Sequence, residues 1–238
     1  MKITEKLALS NCSDSPNVTI AFLGDSVTQG CFETYFDGDK SNGDFNCPER
    51  AYPQRVKEIL SKLYPNAKLN IVNAGVAGNN ARMGLERFDS DVSPFKPDLT
   101  IVSFGLNDSC SGRDYVSTYL NKLESIFDKV KELGSECIFM TQNMMCTEIY
   151  AQMKNKKEIE IAASISKTQN EGTLEYFFDC AKELADKKEV RVCDVYSSWK
   201  NMNAGGVNIT NLLANHLNHP VFDFHYYFAI KLIEEMFK

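Results

Sequence analysis

No stretch of this 238-residue chain stays apolar for the roughly 18 residues a membrane-crossing helix needs. A transmembrane helix is therefore excluded. Positive charge is not in excess either. With 26 Lys and Arg against 32 Asp and Glu, the formal charge is −6, which gives no electrostatic footprint for nucleic acid or an anionic membrane surface. The first eight residues carry charge with no apolar segment behind them, so a signal peptide is not expected and the cytoplasm is the expected compartment. None of the eight cysteines forms a Cys-x-x-Cys pair, which removes support for a zinc ribbon or a thioredoxin-like site. Free thiols are expected, and Cys31 and Cys47, flanking a polar loop, are the pair to inspect for a link. Internal repeats, low-complexity stretches and Pro-, Gly- or Ser-rich linkers are also missing.

What remains is the composition of a globular protein, with 43% apolar residues. The length suits one domain over 1–238 with a substantial core. Short apolar runs rich in β-branched and aromatic residues lie at 18–23, 69–72, 99–104, 137–140 and 190–193. They read as strands buried on both faces. Between them, Val56, Ile59, Leu60 and Leu63 share one helical face, as do Leu120, Leu123, Ile126, Phe127, Val130 and Leu133; a third amphipathic stretch runs from Phe228 to Phe237. Alternating strands and helices predict an α/β fold, a parallel sheet in a three-layer α/β/α sandwich. Residues 1–17 form an N-terminal extension. Two segments break the alternation, 30–50 and 143–170, and both are expected to wall a pocket, because ligands bind at strand C-termini in open α/β sheets.

The chemistry-bearing residues sit at those strand ends. The first strand runs into Gly24-Asp25-Ser26-Val27-Thr28, which would leave the Ser26 hydroxyl exposed at the sheet edge. No Gly-Lys-Ser/Thr follows, so this is not a P-loop. Thr28 stands where a nucleophile elbow would carry its second glycine. The second strand ends in Asn73-Ala74-Gly75-Val76-Ala77-Gly78-Asn79, whose glycines allow backbone N–H groups to face a site. The third ends in Gly105-Leu106-Asn107-Asp108, where Asn107 either donates its amide to a developing oxyanion or closes a turn. All three histidines, His216, His219 and His225, fall within ten residues. A serine nucleophile requires a base, and His219 is the preferred one because Pro220 fixes the chain behind it. His225, among aromatics, reads as structural. The His216/His219 pair lacks the further ligands that a zinc site needs.

Gly-Asp-Ser, Asn-x-Gly, Gly-x-Asn-Asp and a C-terminal Asn-His-Pro occur in that order. This arrangement resembles the SGNH (GDSL-type) serine hydrolase superfamily over about Val18 to Lys238. The resemblance implies a flavodoxin-like sandwich with a five-stranded parallel sheet. It implies Ser26 as nucleophile and first oxyanion donor, Gly75 as the backbone donor, Asn107 as the side-chain donor and His219 as the base. It also exposes a departure. Many members place an aspartate three residues before the histidine, where this chain has His216. Asn215 and Asn218 surround His219, so the orienting group is absent, a backbone carbonyl, or a carboxylate from elsewhere, with Asp223 a distant candidate. Asp25, Asn79 and Arg82 are further orienting or substrate-contacting candidates.

The implied activity is a serine esterase acting through an acyl-enzyme without metal or organic cofactor. Polar residues in the loops (Asn79, Asn80, Arg82, Asp44, Asn46) favour a small acyl group, acetyl, on a carbohydrate or other polar alcohol. The competing readings are a lysophospholipase or thioesterase of the same superfamily, a metal-dependent phosphoesterase, and a non-catalytic sugar-binding module. A small-molecule or carbohydrate ester is the expected partner, with no nucleic acid or membrane, and an oligomer is compatible with the chain.

Overall fold

The apolar runs pair with one another because each can be buried on both faces. In this computed structural model, which describes residues 1–12, 17–38 and 40–238, helix α1 (Ile3–Cys12) leads into β1 (Val18–Gly24). A single helical turn, α2 (Ser26–Gln29), is followed by β2 (Cys31–Asp37), β3 (Lys40–Asn46) and α3 (Tyr52–Leu63). Strand β4 (Leu69–Gly75) continues through α4 (Ala81–Glu86) and α5 (Phe88–Asp91) to β5 (Leu99–Ser103). Then α6 (Leu106–Ser109) and α7 (Val116–Glu132) precede β6 (Glu136–Met140). Helices α8 (Lys156–Asn170) and α9 (Thr173–Lys187) precede β7 (Arg191–Cys193), and α10 (Val195–Ala204) and α11 (Phe222–Met236) follow.

Five strands form one parallel sheet in the order β4-β1-β5-β6-β7. Counting only these five, that is 2-1-3-4-5, the flavodoxin-like order. Helix α3 packs with α11, while α7 packs against α4 and α9, which gives three layers. Chain direction reverses beside β1, and a crevice opens at such a switch point. Register sharpens it: Gly24 at the end of β1 pairs with Gly75 on one side and Ser103 on the other, so three strand ends finish level.

Glycine at 75 is a steric requirement. A Cβ there would lie 2.2 Å from the Gln29 nitrogen and 2.6 Å from the Thr28 carbonyl carbon, so only glycine lets β4 abut α2.

Two features differ from the sequence expectation. The 30–50 insertion is an antiparallel hairpin of β2 and β3, not a loop; bulges between Cys31, Thr34 and Phe36 interrupt its register and mask the period-two signal. Within the N-terminal extension, α1 buries Ile3 and Leu7 in the core. Residues 13–16 of that extension and residue 39 of the insertion lie outside the described residues. The eight cysteines are free: the Cys31 thiol donates to Asn46 Oδ1 at 2.9 Å, and Cys47 approaches Glu49.

Candidate active site

Ser26 opens α2, directly after β1, which is buried at six of its seven positions. Its neighbour Asp25 caps that turn, accepting from the Val27 N–H at 3.0 Å. Behind it, the Thr28 and Tyr52 hydroxyls bond at 2.8 Å and hold α2 against α3. The Ser26 Oγ lies 2.9 Å from Nε2 of His219, 193 residues away in sequence. The other ring nitrogen, Nδ1, lies 3.0 Å from the Phe32 carbonyl on β2. A carbonyl only accepts, so Nδ1 carries the proton and the Nε2 lone pair faces the serine hydroxyl. This is the tautomer that can take a proton from Ser26. Both side chains are 4% exposed. Burial holds the His219 pKa below the ordinary imidazole value, opposed by the charge of Asp44 and by the Phe32 carbonyl.

Asn215 builds the loop that carries His219. Its Oδ1 accepts from the backbone N–H groups of Leu217, Asn218 and His219 at 3.0, 3.0 and 2.9 Å. Its Nδ2 donates to Asn218 Oδ1 and to Thr34 Oγ1, both at 3.1 Å. Thr34 in turn donates to Asp44 Oδ1 across the hairpin at 2.7 Å. The histidine loop is thus tied to the hairpin at two points, Phe32 and Thr34. The Ala214 N–H donates to the His219 carbonyl at 2.7 Å and closes the loop beneath. These bonds give a physical reason for the Asn-x-x-Asn-His-Pro pattern: one side-chain amide organises the whole turn.

Several expected orienting residues lie elsewhere. His216 does not hold His219; its backbone has φ +52°, its Nδ1 meets the Thr210 carbonyl at 3.1 Å, and its ring stacks on Tyr150. Asp223 is exposed in the first turn of α11 and has no contact with the imidazole Nδ1, which is occupied by Phe32. Arg82 is turned to the surface, paired with Glu86 at 2.6 Å one helical turn away. His225 is fully buried, accepts from the Tyr52 N–H on Nδ1 at 3.0 Å, and is held down to about 3 by burial.

The N–H of the second-strand glycine, expected to face the site, has a local acceptor. The Gly75 N–H is already bonded to Asn73 Oδ1 at 3.0 Å, two residues back. Three residues further on, Gly78 adopts φ +74° and is exposed, and its N–H has no acceptor among the described residues. The next residue, Asn79, accepts the Asn107 Nδ2 on its carbonyl at 2.8 Å. Asn107 makes a second, longer contact of 3.5 Å with Asp25 Oδ2.

Two side chains that the sequence reading passed over complete the framework. Gln142, just past β6, donates to Asp25 Oδ2 at 2.8 Å. It follows the same strand-end rule as Ser26 and Asn107 and was legible by it. Arg87, between α4 and α5, donates to the Gly24 carbonyl at 2.7 Å, to Asn79 Oδ1 at 2.8 Å and to Asp91 at 2.9 Å. Its i,i+4 spacing from Asp91 is the signal of a helical ion pair and carries no mark of the contacts with Gly24 and Asn79. Asp25 is buried at the centre of these contacts, and desolvation raises its carboxyl to about 6 against the hydrogen bonds from Gln142 and Val27. Among the described residues, no three His, Cys, Asp or Glu side chains converge to hold a metal.

Residues 22–221 match the family model of the GDSL-like lipase/acylhydrolase family. The chain belongs to the GDSL-like lipase/acylhydrolase family. Within curated proteins, this family member is 30% identical over 131 residues to an acetylxylan esterase of Geobacillus stearothermophilus, covering 51% of this chain and 58% of the relative. It is 29% identical over 133 residues to the uncharacterized lipoprotein YqeF of Bacillus subtilis, covering 51% and 55%. The matches thus span little more than half of either relative. The GDSL fold is shared with the crystal structure of an acetylxylan esterase from Geobacillus stearothermophilus, with a TM-score of 0.68 at 22% identity over 92% of this chain and 94% of that one. A two-domain esterase active on acetylated mannans superposes with a TM-score of 0.67 at 19% identity, over 98% of this chain and 52% of that one. No helix among the described residues is long and apolar enough to cross a membrane.

Proposed function

We propose that this chain is a serine esterase that removes a small acyl group, acetyl, from a carbohydrate or comparable polar alcohol. The observation that carries the reading is the 2.9 Å contact between Ser26 Oγ and His219 Nε2, with Nδ1 committed to the Phe32 carbonyl. His219 takes the hydroxyl proton as Ser26 Oγ attacks the ester carbonyl. The resulting oxyanion accepts from three donors: the Ser26 N–H, the Gly78 N–H and the Asn107 amide. The first of these lies at the start of α2, where N–H groups lack intrahelical acceptors. Gly78 replaces Gly75 in this role because its N–H is uncommitted. Asn107 supplies the hydrogen now held only by the 3.5 Å contact with Asp25. The imidazolium then protonates the leaving alcohol, and the acyl-enzyme forms. Water, deprotonated by His219, attacks the acyl carbonyl and returns Ser26 with release of the carboxylic acid.

The Phe32 carbonyl stands where a triad would have a carboxylate. It fixes the tautomer without contributing a full negative charge. Acetylxylan and acetylmannan esterases among the relatives support an acetylated carbohydrate as substrate.

A fluorophosphonate probe tests the nucleophile. It is expected to label the wild-type protein and not Ser26→Ala. Ser26→Ala and His219→Ala each lower kcat by roughly four or more decades, and the double variant is little worse than either. Asn107→Ala costs about 10²–10³ in kcat. A panel of acetyl, butyryl and octanoyl aryl esters tests the acyl preference. Activity that disappears with a chelator while no probe labelling occurs would replace this reading with a metal-dependent phosphoesterase.

A further inference from the structure

The three residues that follow β6, Thr141, Gln142 and Asn143, are polar and fully buried. A buried polar side chain is kept in a fold where it is bonded, and these three bond to different parts of the site. Thr141 Oγ1 donates to Asp194 Oδ1 at 3.0 Å and accepts from the Tyr196 N–H at 2.9 Å, at the start of α10. Asn143 Nδ2 donates at 2.9 Å to the Asn218 carbonyl, in the loop that carries His219. Gln142 lies between them and uses both ends of its amide. Its Oε1 accepts from the Leu106 N–H at 3.1 Å, and its Nε2 donates to Asp25 Oδ2 at 2.8 Å. Leu106 immediately precedes Asn107, and Asp25 immediately precedes Ser26. One planar amide therefore spans the turn of the nucleophile and the turn of the side-chain oxyanion donor.

The two Asn107 amide hydrogens have different fates. One is held by the Asn79 carbonyl at 2.8 Å, and Asn79 is itself fixed by Arg87 Nε at 2.8 Å. The other has only Asp25 Oδ2, at 3.5 Å, beyond the roughly 2.7–3.2 Å of a formed N–H···O bond. That second hydrogen is the one left for a substrate. A carboxylate is a stronger acceptor than a neutral carbonyl, so Asp25 would take this hydrogen if it could close the gap. Two contacts hold it back: the Val27 N–H fixes Oδ1 at 3.0 Å, and Gln142 fixes Oδ2, anchored in turn by Leu106. With Gln142 gone, Asn107 is the remaining side-chain donor on Oδ2 among the described residues. A buried carboxylate that loses a donor pays the full cost of its desolvation, which draws it to the next donor within reach.

We propose that Gln142 is a positioning residue of the oxyanion hole: bridging Leu106 and Asp25, it keeps the Asp25 carboxylate off Asn107 and so leaves the second Asn107 hydrogen to the oxyanion. The inference rests on the esterase reading above and deepens it. Gln142 touches no reacting atom. It acts through Asn107, so its loss slows the chemical step and leaves ground-state binding of the ester nearly unchanged. A role in packing alone would be filled by an apolar side chain of similar volume.

The test measures kcat and KM for 4-nitrophenyl acetate on variants whose folding is checked by thermal melt. Gln142→Leu is expected to lower kcat by roughly ten-fold or more, approaching the loss of about 10²–10³ for Asn107→Ala, with KM within about three-fold of wild type. Added to Asn107→Ala, it is expected to cost less than about two-fold more, because no donor remains to be positioned. In the Gln142→Leu background, Asp25→Asn is expected to restore kcat several-fold: its carbonyl still caps α2, and its amide nitrogen cannot accept the Asn107 hydrogen. If Gln142→Leu does not fold, Gln142→Glu keeps the acceptor for Leu106 and loses the donor to Asp25, and the same kcat loss and non-additivity are expected. A folded variant with wild-type kcat, a loss that multiplies in full with that of Asn107→Ala, or a loss that Asp25→Asn leaves unrelieved overturns this role for Gln142, and the esterase reading stands. A wild-type protein that neither turns over 4-nitrophenyl acetate nor takes the fluorophosphonate label overturns the esterase reading, and this inference with it.

Discussion

Asp44 acts on His219 through charge as well as through the Thr34–Asn215 bonds. Its carboxylate raises the pKa of an imidazole that burial otherwise holds down. The remaining groups against the ring are neutral or weakly charged: the Ser26 hydroxyl, the Phe32 carbonyl and the buried His225. The base works in its neutral form, so kcat/KM rises with pH through the His219 pKa, and the acid limb is expected below the ordinary imidazole value near 6.5. Asp44→Asn removes a charge that favours the imidazolium. The acid limb then moves to still lower pH while kcat falls, because the same charge stabilises the imidazolium in the transition state. A pH–rate profile of the variant checks this; an unmoved limb would leave Asp44 a merely structural role. Ser26, Asn107 and His219 were legible as candidates because each polar residue falls at a strand end or before the last helix. The tautomer was not, since it depends on a carbonyl 187 residues away from the histidine.

The hairpin and the β4–α4 turn are the elements on which the candidate site depends. In the sequence the hairpin reads as a polar insertion, because its bulges break the alternation that marks a strand. Only its position against the histidine loop reveals that it supplies an orienting carbonyl. At the β4–α4 turn, two glycines three residues apart divide two tasks. Gly75 lets β4 touch α2, and Gly78 turns the chain with a free N–H. Gly75→Ala must push the strand end off the Gln29 backbone, at a cost of roughly 1–3 kcal/mol. A lowered Tm together with a lowered kcat is expected, since the shift displaces the nucleophile turn. Gly78→Ala meets open space and keeps its N–H, so its cost is confined to backbone strain of about 1–2 kcal/mol. Thermal melts of the two variants beside their kcat values separate these roles.

Across the whole molecule, two buried carboxyls shape the response to pH. Desolvation raises Asp25 to about 6 and Asp108 to about 7. Asp108 is partly compensated by accepting from the Ala81 N–H that starts α4 at 3.1 Å. In the unfolded chain both titrate near 4. Between about pH 4 and 7 the folded protein therefore holds protons that the unfolded chain has released. By linkage these two groups remove stability as pH rises through that window, while the depressed pKa values of His219 and His225 act in the opposite sense below the ordinary imidazole value. The carboxyl contribution is therefore read as a difference: relative to wild type, Asp108→Asn is expected to gain Tm between pH 5 and pH 8. An Asp108→Asn variant whose Tm tracks wild type at both pH values would contradict the raised Asp108 pKa.

The sequence by itself determined the sheet and its flanking helices, because hydrophobic periodicity and β-branched runs are local signals that burial enforces wherever they occur. It also determined which strand ends carry Ser26, Asn107 and the glycines, since a parallel sheet brings every C-terminal end to one edge. Tertiary structure alone decided which groups meet there. The commitment of His219 Nδ1 to Phe32 rather than to a carboxylate, and the bracing by Arg87 and Gln142, depend on hydrogen bonds between segments far apart in the chain. Such bonds are set by distance and angle in space, for which residue spacing carries no record.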